Sequence, residues 1–238
     1  MLHCCILHCF TLKFLLMYNS VFKVLVANSQ HAQYSHIICD EMESSAKARG
    51  TGIAKRTPEY IEQKMLEGKA VIALTESGAW AGFCYIETWS HGKYVANSGL
   101  IVSPQFRKSG LARDIKKKIF ELSQQKYPEA KIFGLTTGLA VMKINSDLGY
   151  EPVTYSELTQ DDDFWKGCRS CVNFEILKNK ERKNCLCTAM LYDPKEKEEV
   201  GSKRRRLLDF KKYAKLYERW MRLKKNVLLK IEKKEKVY

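Results

Sequence analysis

The stretch that decides the fold is "GLIVSPQFRKSGLARDIKKKIFEL", residues 99–122. An apolar run ends at Pro104, which cannot donate to a sheet ladder. A basic cluster holding Gly110 follows, and a helical pattern opens at once. Leu111, Ile115, Ile119 and Leu122 recur four, four and three residues apart, so they share the core face of a helix over 109–126. Arg113, Lys116, Lys117 and Lys118 fall largely on its other faces. Strand, tight turn and helix start together make an anion site. The first helical turn leaves backbone N–H groups unpaired, and the helix dipole favours negative charge there. Gly110 keeps that backbone bare, Ala112 keeps the next turn low, and Arg107 and Lys108 add positive charge. From these six residues alone, a plain strand–turn–helix with a loop glycine is the competing reading.

The flanking sequence supplies the rest of a mixed α/β domain. Residues 21–29 read as a strand and 31–50 as a helix ending at glycine. Residues 57–69 read as a helix with Thr57 as N-cap and Pro58 at its first position. Residues 70–90 read as an antiparallel hairpin around a Glu-Ser-Gly turn, and 94–104 as a further strand. Downstream come a strand over 130–137, a short helix over 138–149 and a strand over 150–155. This order fits a mixed, mostly antiparallel sheet flanked by helices.

The charge of the chain is concentrated at one end. Of a net +14 over 238 residues, 201–238 carries 15 Lys and Arg against four Asp and Glu, a net +11, which leaves about +3 for the remainder. An argument for a nucleic-acid partner therefore concerns that tail alone. Its apolar residues, from Leu207 to Ile231, recur at near-helical spacing. The tail reads as an amphipathic helix that docks on its own domain, stays solvated, pairs with a second copy as a homodimer, or binds nucleic acid. Nine scattered cysteines do not form a disulfide framework and point to a reducing, cytoplasmic setting. Residues 1–16 are apolar but lack the features of a signal peptide. They read as a leader or as a mis-called start upstream of Met17, and they are too short, with Lys13 in the middle, to span a bilayer.

Arg107-x-x-Gly110-x-Ala112 resembles the [Q/R]-x-x-G-x-[G/A] motif of the GNAT superfamily of N-acetyltransferases. The preceding Val102-x-Pro104-x-x-Arg107 resembles the exit of that superfamily's fourth strand, and "LGYEPV" (148–153) resembles its "GF" marker. The resemblance covers about 21–158. It implies acetyl-CoA as cosubstrate, with the pantetheine arm lying along the backbone of Leu100, Ile101 and Val102. The pyrophosphate would lie over residues 107–112, that is Arg107, Lys108, Ser109, Gly110, Leu111 and Ala112. Transfer to a small-molecule amine would be direct, with a backbone N–H near Val102 stabilising the oxyanion. A domain over 17–158 would be followed by a Cys-rich extension over 159–200 and the tail.

Two positions depart from the superfamily pattern. Where many members have a proton-donating Tyr this chain has Asn145. Where many have a Glu on the fourth strand it has Ala96, Asn97 and Ser98. Glu87 and His91 stand near as replacements, with a hairpin-end charge and a turn residue as their ordinary readings. The run "LTTGLAVMKINSDLGYEPV" (135–153) resembles N-acetylglutamate synthases of this superfamily. That implies glutamate as acceptor and a cationic carboxylate clamp, for which Lys143 and Arg49 are candidates. The rivals are a protein or peptide acetyltransferase and a catalytically degraded coenzyme-binding module with a nucleic-acid-binding tail. Finally, Cys168-x2-Cys171 and Cys185-x-Cys187 suit a structural tetrahedral zinc. The alternative is buried, reduced cysteines on two strands.

Overall fold

The computed structural model describes residues 22–50, 55–196 and 218. The expectations for residues 1–16 and, apart from residue 218, for the basic tail lie outside the described residues. The elements run β1 Phe22–Val26, α1 Ser35–Arg49, α2 Pro58–Leu66, β2 Ala70–Thr75, β3 Trp80–Trp89, β4 Tyr94–Val102, α3 Leu111–Lys126, β5 Lys131–Thr136, α4 Leu139–Asp147, β6 Glu151–Val153, α5 Asp162–Lys166, α6 Phe174–Asn179 and β7 Thr188–Tyr192. Local chemistry sets the boundaries as the sequence suggests. Thr57 Oγ1 accepts from the Tyr60 N–H at the start of α2, and Gly50 ends α1 with φ +58°.

One seven-stranded sheet carries the order β1-β2-β3-β4-β5-β7-β6. Every neighbouring pair is antiparallel except β4 with β5. Apolar side chains of α1, α2 and the first strands form one core, around Ile38, Met42, Ile61, Met65, Ile72 and Phe83. Leu111, Ile115, Ile119 and Leu122 of α3 are buried as their spacing requires. Residue 116 is not on a solvent face: Lys116 is 2 % exposed.

Two corrections follow from the second half of the chain. Sequence texture put the end of the acyltransferase domain at residue 158. In the structure β7 lies inside the sheet, between β5 and β6, and one compact unit runs on to Pro194. The segment 159–187 packs Trp165, Leu177 and Cys185, with Leu158 just before it, against Ala96, Phe133 and Ala189 in a second core cluster. It is therefore part of the domain. Residues 171–177 are also not a strand, because α6 occupies Phe174–Asn179.

The parallel pair β4–β5 decides the shape of the molecule. It holds at only three positions, Tyr94 with Lys131, Val95 with Ile132 and Ala96 with Phe133. Beyond them β4 carries a bulge: Phe83 pairs with Ile101 but Tyr85 with Ser98, so Gly99 and Leu100 stand opposite Cys84. A bulge bends the strand that carries it and raises its twist. Gly99 supplies the conformation, with φ +64°. A Cβ there would lie 2.4 Å from Tyr85 Cε1 and 2.8 Å from Met42 Cε. Gly99→Ala should therefore cost about 2–3 kcal/mol through overpacking and left-handed strain. For a domain of this size that lowers Tm by roughly 5–10 °C, measurable by calorimetry. A Tm within about 1 °C of wild type would show that the bulge tolerates a side chain.

Candidate functional site

The separation of β4 from β5 opens a cleft of about 280 Å³, lined by Ala96–Leu100 on one side and Phe133–Gly138 on the other. Among the predicted backbone contacts, Leu100 lies in this lining. Ile101 turns its side chain into the core, and Val102 is paired with Gly82, so both stand outside the lining.

The anion turn keeps its shape through Gly110, the N-cap of α3, with φ +90° and no atom within 4 Å of a would-be Cβ. Lys108 is also left-handed, at φ +68°. Four N–H groups of the turn, those of Lys108, Ser109, Gly110 and Ala112, have no partner among the described residues. The other two are spent: Arg107 N–H donates to Pro104 O at 3.4 Å, and Leu111 N–H to Ser109 Oγ at 3.4 Å. Ser109 Oγ in turn donates to Phe106 O. The Arg107 side chain does not face an anion. Its guanidinium donates to Glu41 Oε1 (2.7 Å), Ser45 Oγ (2.7 Å) and Val102 O (3.2 Å), which ties α1 to the end of β4. The local positive charge is thus left to Lys108 and the helix terminus.

On the other side of the sheet lies a second cavity of about 340 Å³. Its walls include Tyr60, Trp89, Phe164, Trp165 and Phe174, with Glu87 among its polar residues. It shares Arg56, Ser98, Leu135, Phe164 and Cys187 with the cleft, so the two meet at the splay. Glu87 is not a hairpin-end charge. It is 6 % exposed, on the central strand β3, where β2 and β4 cover both edges. Arg56 Nη2 (3.0 Å) and Tyr60 Oη (2.5 Å) donate to its Oε1, and Ser98 Oγ (2.7 Å) donates to its Oε2. Arg56 Nε also donates to Tyr85 Oη at 2.9 Å. Burial, then the neighbouring Glu87, pushes the Tyr60 hydroxyl above its usual range. A carboxylate taken out of water needs such partners.

Asn145 sits in the cleft lining at 1 % exposure. Its Nδ2 reaches Met190 Sδ at 3.7 Å, while its Oδ1 is buried with no partner. Lys116 lines the same cleft, which its sequence neighbours did not suggest. The signal was present: Lys116, Phe120 and Ser123, all buried, are spaced i, i+4, i+7 and share one face. Two other candidates, His91 and Lys143, lie away from the site. His91 is an exposed turn residue with φ +56°, Lys143 is exposed and outside both cavities, and the side chain of Arg49 is not among those described.

All four cysteines of the proposed zinc site line the second cavity. Among the described residues, however, no three His, Cys, Asp or Glu side chains form a group able to hold a metal ion. The zinc expectation is therefore not supported. Cys168, Cys171, Cys185 and Cys187 are not joined in disulfides. Burial pushes the Cys168 thiol up to about 11. No helix among the described residues is long and apolar enough to cross a membrane.

The same splayed sheet occurs in known proteins. An acetyltransferase of the GNAT family from Staphylococcus aureus superposes with a TM-score of 0.54 at 11% identity, over 73% of this chain and 99% of that one. The chain has the GNAT fold. An N-acetylglutamate synthase from Neisseria gonorrhoeae, solved with coenzyme A and N-acetyl-glutamate, gives a TM-score of 0.52 at 15% identity over 74% of this chain. The GNAT-fold chain spans only about a third of that synthase, 35% of its length. By sequence, it is 26% identical over 143 residues to a thialysine N-epsilon-acetyltransferase from Caenorhabditis elegans, covering 59% of this chain and 87% of that protein. No family model matches the chain.

The Arg56–Glu87 pair gives a test independent of substrate. Removing one partner leaves an uncompensated buried charge, so Arg56→Met alone should destabilise by roughly 3–5 kcal/mol. Arg56→Met combined with Glu87→Gln should recover a large part of that loss. Urea denaturation of both single variants and the double variant measures the coupling. Strictly additive losses would mean that the pair is not interacting.

Proposed function

We propose that the protein is an acetyl-CoA-dependent N-acetyltransferase acting on a primary amine that reaches the splay from the Glu87 cavity. The carrying observation is the continuity of the two cavities. One offers an open strand edge, and the other a buried carboxylate among aromatic walls. Acetyl-transferring relatives and GNAT neighbours support the same reading.

The pantetheine arm would use the edge of β4 that β5 leaves unpaired, as an added strand does. The pyrophosphate would take the N–H groups of Lys108, Ser109, Gly110 and Ala112. The amine enters past Trp89, whose face suits a cation, while the Tyr60 ring already holds Arg56 and Lys64. Glu87 Oε2 accepts only Ser98 Oγ, which leaves it room to take a proton from the amine through water. The neutral nitrogen then attacks the thioester carbon, the C–S bond breaks and the thiolate departs. Positioning across the splay supplies much of the rate.

The acceptor that fits best is a cationic amine, such as the side-chain amine named for the worm relative. Glutamate is the second reading. It is favoured by the fold likeness to the synthase and by the buried, unpartnered Trp89 Nε1–H in the cavity, a donor for a carboxylate oxygen. Against it, Arg56 already pairs with Glu87, and Lys143 is too remote to clamp a carboxylate.

The deciding assay follows thiol release from acetyl-CoA with thialysine, lysine, a polyamine, a lysine peptide and glutamate. Turnover with a cationic amine and none with glutamate is expected. No turnover with any of them, at any pH between about 6 and 9 where such amines begin to deprotonate, would overturn the activity. Gly110→Asp should weaken acetyl-CoA binding by at least about tenfold, or about 1.4 kcal/mol, because its carboxylate meets the pyrophosphate. Secondary structure should survive at a modest cost in stability, since no atom crowds a side chain there although its φ of +90° strains one. Calorimetric titration reads the change, and an unaltered Kd would rule the turn out as the phosphate site.

A further inference from the structure

A departing thiolate inside a closed cleft needs a proton or a counter-charge. The position from which a side-chain acid would be expected to serve it holds Asn145, whose amide has no proton to give at neutral pH. The other ionisable side chains lining the cleft are Arg56, Tyr85, Cys187 and Lys116. Arg56 is bound to Glu87 and Tyr85. Burial raises the Tyr85 hydroxyl well above its usual range, and a hydrogen bond with Cys185 followed by burial raises the Cys187 thiol, so neither gives up a proton readily.

Lys116 differs in every respect. It is a buried cation with an incomplete set of partners. Its Nζ donates to Asn97 Oδ1 at a long 3.3 Å and lies 5.2 Å from the centre of the Tyr150 ring, and no carboxylate pairs with it among the described residues. An ammonium has three protons to place. Asn97 Oδ1 is shared with Tyr150 Oη, which donates at 2.9 Å, while Asn97 Nδ2 donates to Ser123 Oγ. The acceptor capacity around Nζ is therefore nearly used up by groups other than Nζ. In the same lining the Oδ1 of Asn145 is buried with no donor. A buried ammonium with one long hydrogen bond and a buried amide oxygen with none thus both belong to residues lining a single cavity.

We propose that Lys116 is the proton donor to the departing coenzyme thiolate, a role that rests on the acetyl-transfer reading above. As the amine nitrogen bonds to the acetyl carbon and the C–S bond breaks, the electron pair left on sulfur takes a proton from the Lys116 ammonium. The free thiol and a neutral lysine result. The ammonium acceptor sheds two protons, one before attack and one as the amide forms, each passing in turn through Glu87 to solvent, and Lys116 regains one from solvent after the thiol leaves. Burial lowers the Lys116 ammonium to about 8, close to an ordinary thiol at about 8.5, so the transfer is nearly balanced. The titratable groups packed around it are Cys84 of β3, whose thiol burial raises to about 11, and Tyr150 ahead of β6, which burial holds protonated. Tyr192 of β7 lies behind Tyr150, with ring centres 6.2 Å apart.

The test uses Lys116→Met, which keeps length and apolar packing, and Lys116→Arg, which keeps the charge but holds its proton. In wild type, kcat should fall as pH rises through about 8, because the acid must be protonated. Lys116→Met should lose roughly 100-fold or more in kcat with acetyl-CoA and lose that limb of the profile. Its Kd for acetyl-CoA should stay near the wild-type value, and its Tm should be equal or higher, since a buried cation has been removed. With an aryl thioester, whose thiolate leaves without a proton, the deficit should largely vanish. Rescue by Lys116→Arg, an unchanged pH limb in Lys116→Met, or an equal deficit with both thioesters would each overturn the assignment. Should Lys116→Met fold poorly, wild type alone decides: an alkaline limb with acetyl-CoA that is absent with the aryl thioester supports the donor, and the same limb with both rejects it. Wild type that binds acetyl-CoA but acetylates no amine overturns the acetyl-transfer reading itself.

Discussion

Three paired positions hold β4 to β5, and the site depends on the pairing stopping there. A parallel pair that continued to Val102 would seal the cleft and satisfy the strand edge internally. Two features prevent this. The bulge at Gly99 and Leu100 adds length and twist to β4. On the far side, β7 pairs antiparallel with the whole of β5, from Ile132 to Thr136, and gives that strand a partner elsewhere. The open edge is therefore a stable consequence of the sheet order.

The same splay sets the two faces of the site. Along β4, Asn97 and Ser98 point to opposite sides of the sheet. Ser98 reaches Glu87, Arg56 and the aromatic cavity, while Asn97 reaches Lys116, Tyr150 and Ser123 beneath α3. One strand thus carries the polar groups of both compartments in consecutive residues. An acceptor on one side and a coenzyme sulfur on the other can meet only where the strands part. This also explains why the Cys-bearing segment belongs to the domain: Phe164, Trp165 and Leu177 roof the acceptor side and pack onto Phe133 and Ala96.

Most of the frame was legible in the sequence, because it rests on local signals. Periodic apolar residues marked α3, Thr57 and Pro58 marked α2, and Pro104 marked the end of β4. The turn at Gly110 was legible because its residue types are restricted by backbone geometry. What escaped depends on which strand lies next to which. Glu87 read as a surface charge because nothing in "CYIETW" says that β3 is central and covered on both edges. Arg107 read as an anion ligand because its partner Glu41 is 66 residues away. The strand β7 went unplaced because its position between β5 and β6 reverses chain order. Gly99 was different: a lone glycine inside a strand pattern is a signal for a bulge, and it could have been read.

Lys116 and Asn145 carry the argument furthest: the Asn145 Oδ1 is buried without a partner, and the Lys116 ammonium is buried with a single long hydrogen bond. An unpartnered carbonyl and an under-coordinated ammonium both reduce stability. Structural need does not account for either, because an apolar side chain at position 116 would bury with less loss. Their cost is offset only in a state where something else stands in the cleft. A pantetheine thioester brings an amide N–H for an unpaired acceptor and, on cleavage, a sulfur anion for an unpaired donor. These two groups thus correspond in sign to the groups of the proposed cosubstrate. The second cavity, where Arg56, Tyr60 and Ser98 donate to Glu87, has no such defect among the described residues apart from the indole N–H of Trp89. Of the two compartments, the coenzyme side is therefore the one left incomplete by the protein alone.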